Sequence, residues 1–271
     1  MKAKSLNIIA TAALALASWS CTQTDGSINY AQQIADNEMM DSVDAMARQI
    51  IRQGFNAGDG YSEVWIRDYS TFIELSSDKE KKKMWADKRD QLKQNIRQHL
   101  WDEKNRKFIP HIYLDKSPFP ADFDENKIYY HGGTAVAILA GILTGEEVAE
   151  ANKRMLENMA KAHAQTIGLT MYPTYPAGYF QNVGMYPYGY QNGGDWTWFG
   201  ARMIHALVKY GMIAEAYDEL QPMLQRVVEN KGFYEWYTPA GEPMGSGTFR
   251  GEAGVLFKAN ALLRNWAEQN K

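Results

Sequence analysis

Between Ile28 and Gly54, apolar side chains recur at Ile34, Met39, Val43, Met46, Ala47, Ile50 and Ile51, a stripe with the period of an α-helix that closes on a glycine. Met84 to Leu100 reads as a helix, Ala135 to Leu143 as a short apolar helix, Trp196 to Tyr210 and Ile213 to Val228 as two more, and Glu252 to Trp266 as a final helix that turns Leu256, Leu263 and Trp266 toward a core. Another helix can begin at Tyr69 to Leu75. Thr144-Gly145-Glu146-Glu147 reads as a capping box that opens a helix running to about His163. Gly211 stops the helix before Ile213, so two helices follow each other as a short-linked hairpin. Trp101 to Ile112 reads as a loop or short hairpin around Asp102-Glu103-Lys104-Asn105. Gly168 to Gly189 is long, irregular and rich in Tyr and Pro, a kind of ordered loop that is usually functional. The pattern gives seven or eight helices and no convincing sheet, which predicts an all-α helical-hairpin array with its site at one rim.

Composition adds bounds. The 271 residues are 45% apolar and 13% aromatic, ample for one domain with a full core. Twenty-nine basic against 32 acidic residues leave a net charge of -3, which argues against a nucleic-acid partner. The basic run Lys79 to Arg89 is interleaved with acids and reads as a solvated helix face. Met1-Lys2-Ala3-Lys4 precedes an apolar run from Ile8 to Ala17, which has the form of an export signal and not of a membrane span. The run ends just before Cys21, the single cysteine, and polar residues follow. This order resembles a bacterial lipoprotein signal in which Cys21 becomes the lipidated first residue. Cleavage after Ala17, in its Ala-x-Ala context, is the competing outcome. Residues 1–21 are therefore read as a signal segment and 22–271 as one helical domain, exported to the cell envelope on a lipid anchor at Cys21 or otherwise secreted. That anchor is the only membrane contact expected.

Three stretches carry candidate chemistry. Tyr190-Gln191-Asn192-Gly193-Gly194-Asp195-Trp196-Thr197-Trp198-Phe199-Gly200 sets amides and a carboxylate beside large aromatics at a helix start. Amide and carboxylate side chains hydrogen-bond hydroxyls, and flat indoles cover the apolar faces of a pyranose ring, so the combination suits a carbohydrate. A helical hairpin later, Gly232-Phe233-Tyr234-Glu235-Trp236-Tyr237 places one carboxylate between two aromatics, a setting that can tune its pKa and hold it against a substrate. The plain alternative is aromatic core plus solvated acids, but two such runs at the ends of one helix pair favour a site. Trp65-Ile66-Arg67-Asp68 is either a ligand clamp at a helix entrance or a structural ion pair. Asp122, Asp124 and Glu125 lack the alternating ligands and glycine of a calcium loop and read as solvent-facing. His163 reads as packed in or against a core face. No cofactor and no metal is called for, and no Cys/His/Asp ligand set for zinc remains after export.

Taken together, Trp65-Ile66-Arg67-Asp68, Tyr190 to Gly200 and Gly232 to Gly245 resemble the six-hairpin glycosidases, the (α/α)6-toroid enzymes that include glucoamylases, trehalases and processing α-glucosidases. The resemblance implies that Arg67 and Asp68 after Trp65 clamp sugar hydroxyls. It also implies that Tyr190, Gln191, Asn192, Trp196, Trp198 and Tyr237 line the sugar site. Phe233 to Tyr237 with Thr238-Pro239-Ala240-Gly241-Glu242-Pro243 is similar to the segment of that group whose first glutamate is the general base, and this falls on Glu235. The chain departs from the group in helix count, since a six-hairpin toroid needs twelve. The shortfall lies between Leu75 and Met84, where helices leading to the general-acid loop would stand and where Ser76 to Lys83 supplies no acid in an aromatic pocket.

An inverting hydrolase sets an acid and a base roughly 6.5 to 9.5 Å apart. With Glu235 as base, the remaining candidates for the acid are Asp195 first, then Asp68, whose pKa Arg67 would hold down, and Glu252. Asp195 is equally suited to be a helix N-cap. The expectation is an exported glycoside hydrolase-like protein acting on oligosaccharide or polysaccharide. The alternative is a catalytically impaired carbohydrate-binding remnant of such an enzyme. A sugar epimerase would need histidines, and only His131 sits in a suitable loop.

Overall fold

The computed structural model describes residues 24–51 and 79–270. Cys21, Trp65, Arg67, Asp68 and the helix expected from Tyr69 lie outside them. Among the described residues there are eight α-helices: α1 (Thr24–Ala35), α2 (Glu38–Ile51), α3 (Lys79–Leu100), α4 (His131–Leu139), α5 (Gly145–Lys161), α6 (Thr197–Lys209), α7 (Ile213–Asn230) and α8 (Arg250–Gln269). The protein is an all-α helical array, with eight described helices where a six-hairpin toroid has twelve.

Local sequence explains most boundaries. The stripe expected as one helix up to Gly54 is broken in two, because the Asn37 side chain accepts from the backbone N–H groups of Met39 and Met40 at 3.0 and 3.1 Å and caps α2. The expected capping box is present: Thr144 Oγ1 accepts from Glu147 N, and the Glu147 carboxylate accepts from Thr144 N. Glu147, 3% exposed, also receives Arg97 at 2.6 Å and Arg106 at 3.1 Å, so one carboxylate joins α3, the following hairpin and α5. The helix expected from Ala135 starts earlier, at His131, and that histidine is 1% exposed. His163 does not pack on a core face; it is exposed, with φ 53° just past the end of α5.

One hydrophobic core runs through the array. Helix α8 packs against α1, α2 and α6, while α6 also packs against α4 and α7. Met40, Val43, Met203, Leu207, Leu220, Leu224, Leu256 and Leu263 are all 1% exposed or less, whereas Trp266 is half-buried at the edge. No helix among the described residues is long and apolar enough to cross a membrane.

Three short antiparallel pairs stand among the described residues: β1 (Trp101–Asp102) with β2 (Lys107–Phe108), β3 (Tyr129–Tyr130) with β4 (Met171–Tyr172), and β5 (Trp236–Tyr237) with β6 (Pro243–Met244). Single bridges Leu169↔Asp195 and Asp195↔Tyr237 link the second pair to the third. Helices α4 and α6 start directly from this ladder, which therefore forms a rim. A small second core of Ile128, Met171 and Tyr175 with Phe119, Phe123 and Phe180 supports the long loops. Glu125 faces that loop layer and not solvent. Its side chain is 10% exposed and accepts from the hydroxyls of Tyr113 and Tyr175, whereas Asp122 and Asp124 are exposed.

Candidate functional site

Asp195 stands in the ladder immediately before α6. Its backbone pairs with Tyr237 in both directions, at 2.9 and 2.8 Å. Its side chain is fully buried and accepts from the Thr166 backbone N–H at 3.1 Å and the Thr166 hydroxyl at 2.5 Å. Arg226 Nη1, from α7, lies 3.0 Å away. Arg226 is 2% exposed, donates through Nε to the Thr197 hydroxyl at 3.1 Å, and lies over the Tyr237 ring at 3.9 Å from its centroid. The N-cap position of α6 belongs to Trp196, so Asp195 is not a cap. With both oxygens engaged and no access to solvent, its carboxylate has the geometry of a structural ion pair and not of a proton donor at the rim.

Glu252 shares this chamber. It is fully buried, the Thr197 hydroxyl and Arg226 are its polar neighbours, and neither carboxyl oxygen makes a hydrogen bond of normal geometry. Burial pushes its pKa up to about 8, against the pull of Arg226. Such a group holds a proton at neutral pH, as a general acid must, but it has no surface through which a substrate could take it.

Glu235 has a different setting. Phe233 N donates to Gly247 O at 2.9 Å, Glu235 N to Ser246 O at 3.0 Å and Phe249 N to Phe233 O at 2.8 Å, so the two loop strands are laid side by side. This seats the Glu235 side chain against Gly245, whose φ of +72° suits glycine and whose missing Cβ would lie 2.6 Å from Glu235 Oε2. The Tyr190 hydroxyl donates to Glu235 Oε1 at 3.3 Å. Glu235 is left 6% exposed.

Tyr190 joins the two aromatic runs. Its ring centroid is 5.2 Å from that of Trp196 and 6.3 Å from that of Trp236, both edge-on, and Trp196 meets Phe249 at 6.1 Å. The indoles of Trp196 and Trp198, expected as sugar platforms, are 4% and 9% exposed and belong to the core; Trp198 carries the Arg202 guanidinium at 3.9 Å. Tyr237 is fully buried under Arg226. Asn192, fully buried, ties down the preceding loop: its Oδ1 accepts from Tyr175 N at 2.8 Å, and its Nδ2 donates to Tyr175 O and Met185 O at 3.0 Å. Of the first run, Tyr190, Gln191 and Phe199 are half-buried, and Tyr190 and Gln191 are the polar side chains among them that can hydrogen-bond a ligand. His131 is no rim histidine. Its Nδ1–H donates to Ile167 O at 3.2 Å, its Nε2 accepts from Asn158 at 3.1 Å, and burial lowers its pKa to about 4.

Arg226 and Thr166, which fix Asp195, are not evident as site residues in the sequence. Arg226 had one available signal, a charge on the apolar stripe of its helix beside Met223 and Val227. No protein-family model matches this chain, and a search of curated proteins finds no match.

Proposed function

We propose that this is an exported carbohydrate-active protein of glycoside hydrolase type, with Glu235 the carboxylate that faces the sugar and serves as general base. The observation that carries the reading is the seat of Glu235: a nearly buried carboxylate, hydrogen-bonded to the Tyr190 phenol, closed by Gly245, and set where two aromatic runs meet. Such a base is oriented and dry enough to activate one water. Tyr190 and Gln191 supply hydroxyl and amide partners for a sugar. The resemblance to six-hairpin glycosidases implies that Arg67 and Asp68, after Trp65, clamp the sugar hydroxyls.

A second reading, oligosaccharide binding with little turnover, is favoured by the burial of Asp195 and Glu252, which removes two of the three candidate acids. The two readings separate in one assay on the full chain. Oligosaccharide binding is followed by intrinsic fluorescence, and turnover is measured on glycosyl fluorides, whose leaving group needs little protonation, and on unactivated disaccharides. Binding that Glu235→Gln weakens, with fluorides cut faster than disaccharides, supports the base without an efficient acid. Robust disaccharide hydrolysis supports a complete enzyme, and absence of any saccharide binding overturns both.

A further inference from the structure

The chain is acidic overall, with a net charge of -3, yet three elements turn basic side chains into one cleft. The β1–β2 hairpin contributes Lys104, Arg106 and Lys107, the turn at 125–127 contributes Lys127, and α5 contributes Arg154. The cleft is open and has a volume of about 460 Å³, within the usual size of a small-ligand site. Two carboxylates also line it, and both have work elsewhere. Asp124 caps the turn by accepting from Asn126 N at 3.0 Å, and Glu150 accepts Arg106 Nε at 2.9 Å.

Of the remaining cations, Lys107 is attracted by Asp102 and Asp124 but forms an ion pair with neither. Lys107 is 5% exposed and gives its hydrogen bond to a backbone carbonyl, Ile128 O at 2.5 Å. Arg154 is half-buried with its guanidinium 5.9 Å from the Tyr129 ring centroid, and among the described residues neither it, Lys104 nor Lys127 makes an ion pair. Lys107 and Arg154 are partly desolvated and repel one another, with exposed Lys104 and Lys127 adding positive charge at the mouth, until an anion enters. Donors converge from a helix, a hairpin and a turn, an arrangement suited to the several acceptor oxygens of a tetrahedral group.

We propose that this cleft binds an oxyanion, the sulfate or phosphate group of an ester or the free ion, with Arg154 as its forked donor and Lys104 and Lys127 closing on it from the two loops. The site is separate from Glu235 and stands independently of the carbohydrate reading. The test is an NMR titration of the full chain with inorganic phosphate, inorganic sulfate, a hexose 6-phosphate and a hexose 6-sulfate, with chloride at matched ionic strength as control. Saturable shifts of the amides at 104–107 and 126–127, with affinity falling at least tenfold in Arg154→Gln and in Lys127→Gln, are expected. Tighter binding of the hexose esters than of the free ions would assign the anion to a sugar; equal binding would assign it to the ion itself. Lys127 is exposed, so Lys127→Gln keeps the test valid if Arg154→Gln perturbs the Tyr129 contact. Equal shifts with chloride, or unchanged affinity in both variants, overturn the proposal.

Discussion

Replacing Glu252 with glutamine should flatten the dependence of stability on pH. In the folded protein burial raises the Glu252 pKa from 4.5 to about 8, with Arg226 opposing and Asp195 adding to the rise. The folded state therefore binds a proton that the unfolded state releases between these two values. By linkage, the stability this proton contributes is fully present below pH 4.5 and is lost as pH rises through about 8. Each pH unit within the window is worth about 1.4 kcal/mol, so the loss is about 3 kcal/mol by pH 7 and about 5 kcal/mol once the folded group ionises. Glutamine keeps the shape and removes the titration. Other groups titrate in the same range: His131 and His205 are buried neutral with pKa values lowered to about 4, which erodes stability as pH falls below 6.5, and Glu219 is raised to about 7. They are common to both proteins and cancel in the difference. Urea unfolding of wild type and Glu252→Gln at pH 4.5, 6, 7 and 8 should therefore show the variant gaining about 1.4 kcal/mol per unit relative to wild type. A difference constant within about 1 kcal/mol across that range would refute the reasoning, since it would mean that Glu252 is already ionised when folded or is solvated.

Gly245→Ala places a Cβ against the Glu235 carboxylate and forces a positive φ, so about 1 to 2 kcal/mol of stability and at least a tenfold loss of saccharide affinity are expected by thermal melts and fluorescence titration. The control Gly254→Ala, in α8 with open space around it, should gain about 0.5 to 1 kcal/mol; similar losses in the two variants would contradict the role given to Gly245. Thr144→Ala removes one half of the capping box and should cost about 1 kcal/mol, seen as a lower midpoint in urea; an unchanged midpoint would show that the Arg97 and Arg106 pairs on Glu147 hold that end alone. Cys21→Ala should move the protein from the membrane to the soluble fraction on cell fractionation, and unchanged partitioning would exclude the lipid anchor.

Local code set the helices. The apolar stripe from Ile34 to Ile51, the inward Leu256 and Leu263 of α8, the capping box at Thr144 and the stop at Gly211 are short-range signals, and each recurs in the fold because backbone hydrogen bonds and caps are made within a few residues. The same local reading ran Ile34 and Met39 into one helix by weighting the apolar stripe over the cap at Asn37. The aromatic setting of Glu235 was equally legible, because its neighbours Tyr234 and Trp236 are adjacent in sequence. What the residues of the Tyr190 run do was decided by tertiary contacts alone. Asp195 is an ion-pair member because Arg226, a turn short of the end of α7, points at it, and Asn192 is a loop clamp because Tyr175 and Met185 fold back over it. A polar side chain's character as ligand or scaffold depends on which distant groups satisfy its hydrogen bonds and on whether water reaches it, and neither is written in the spacing of the chain.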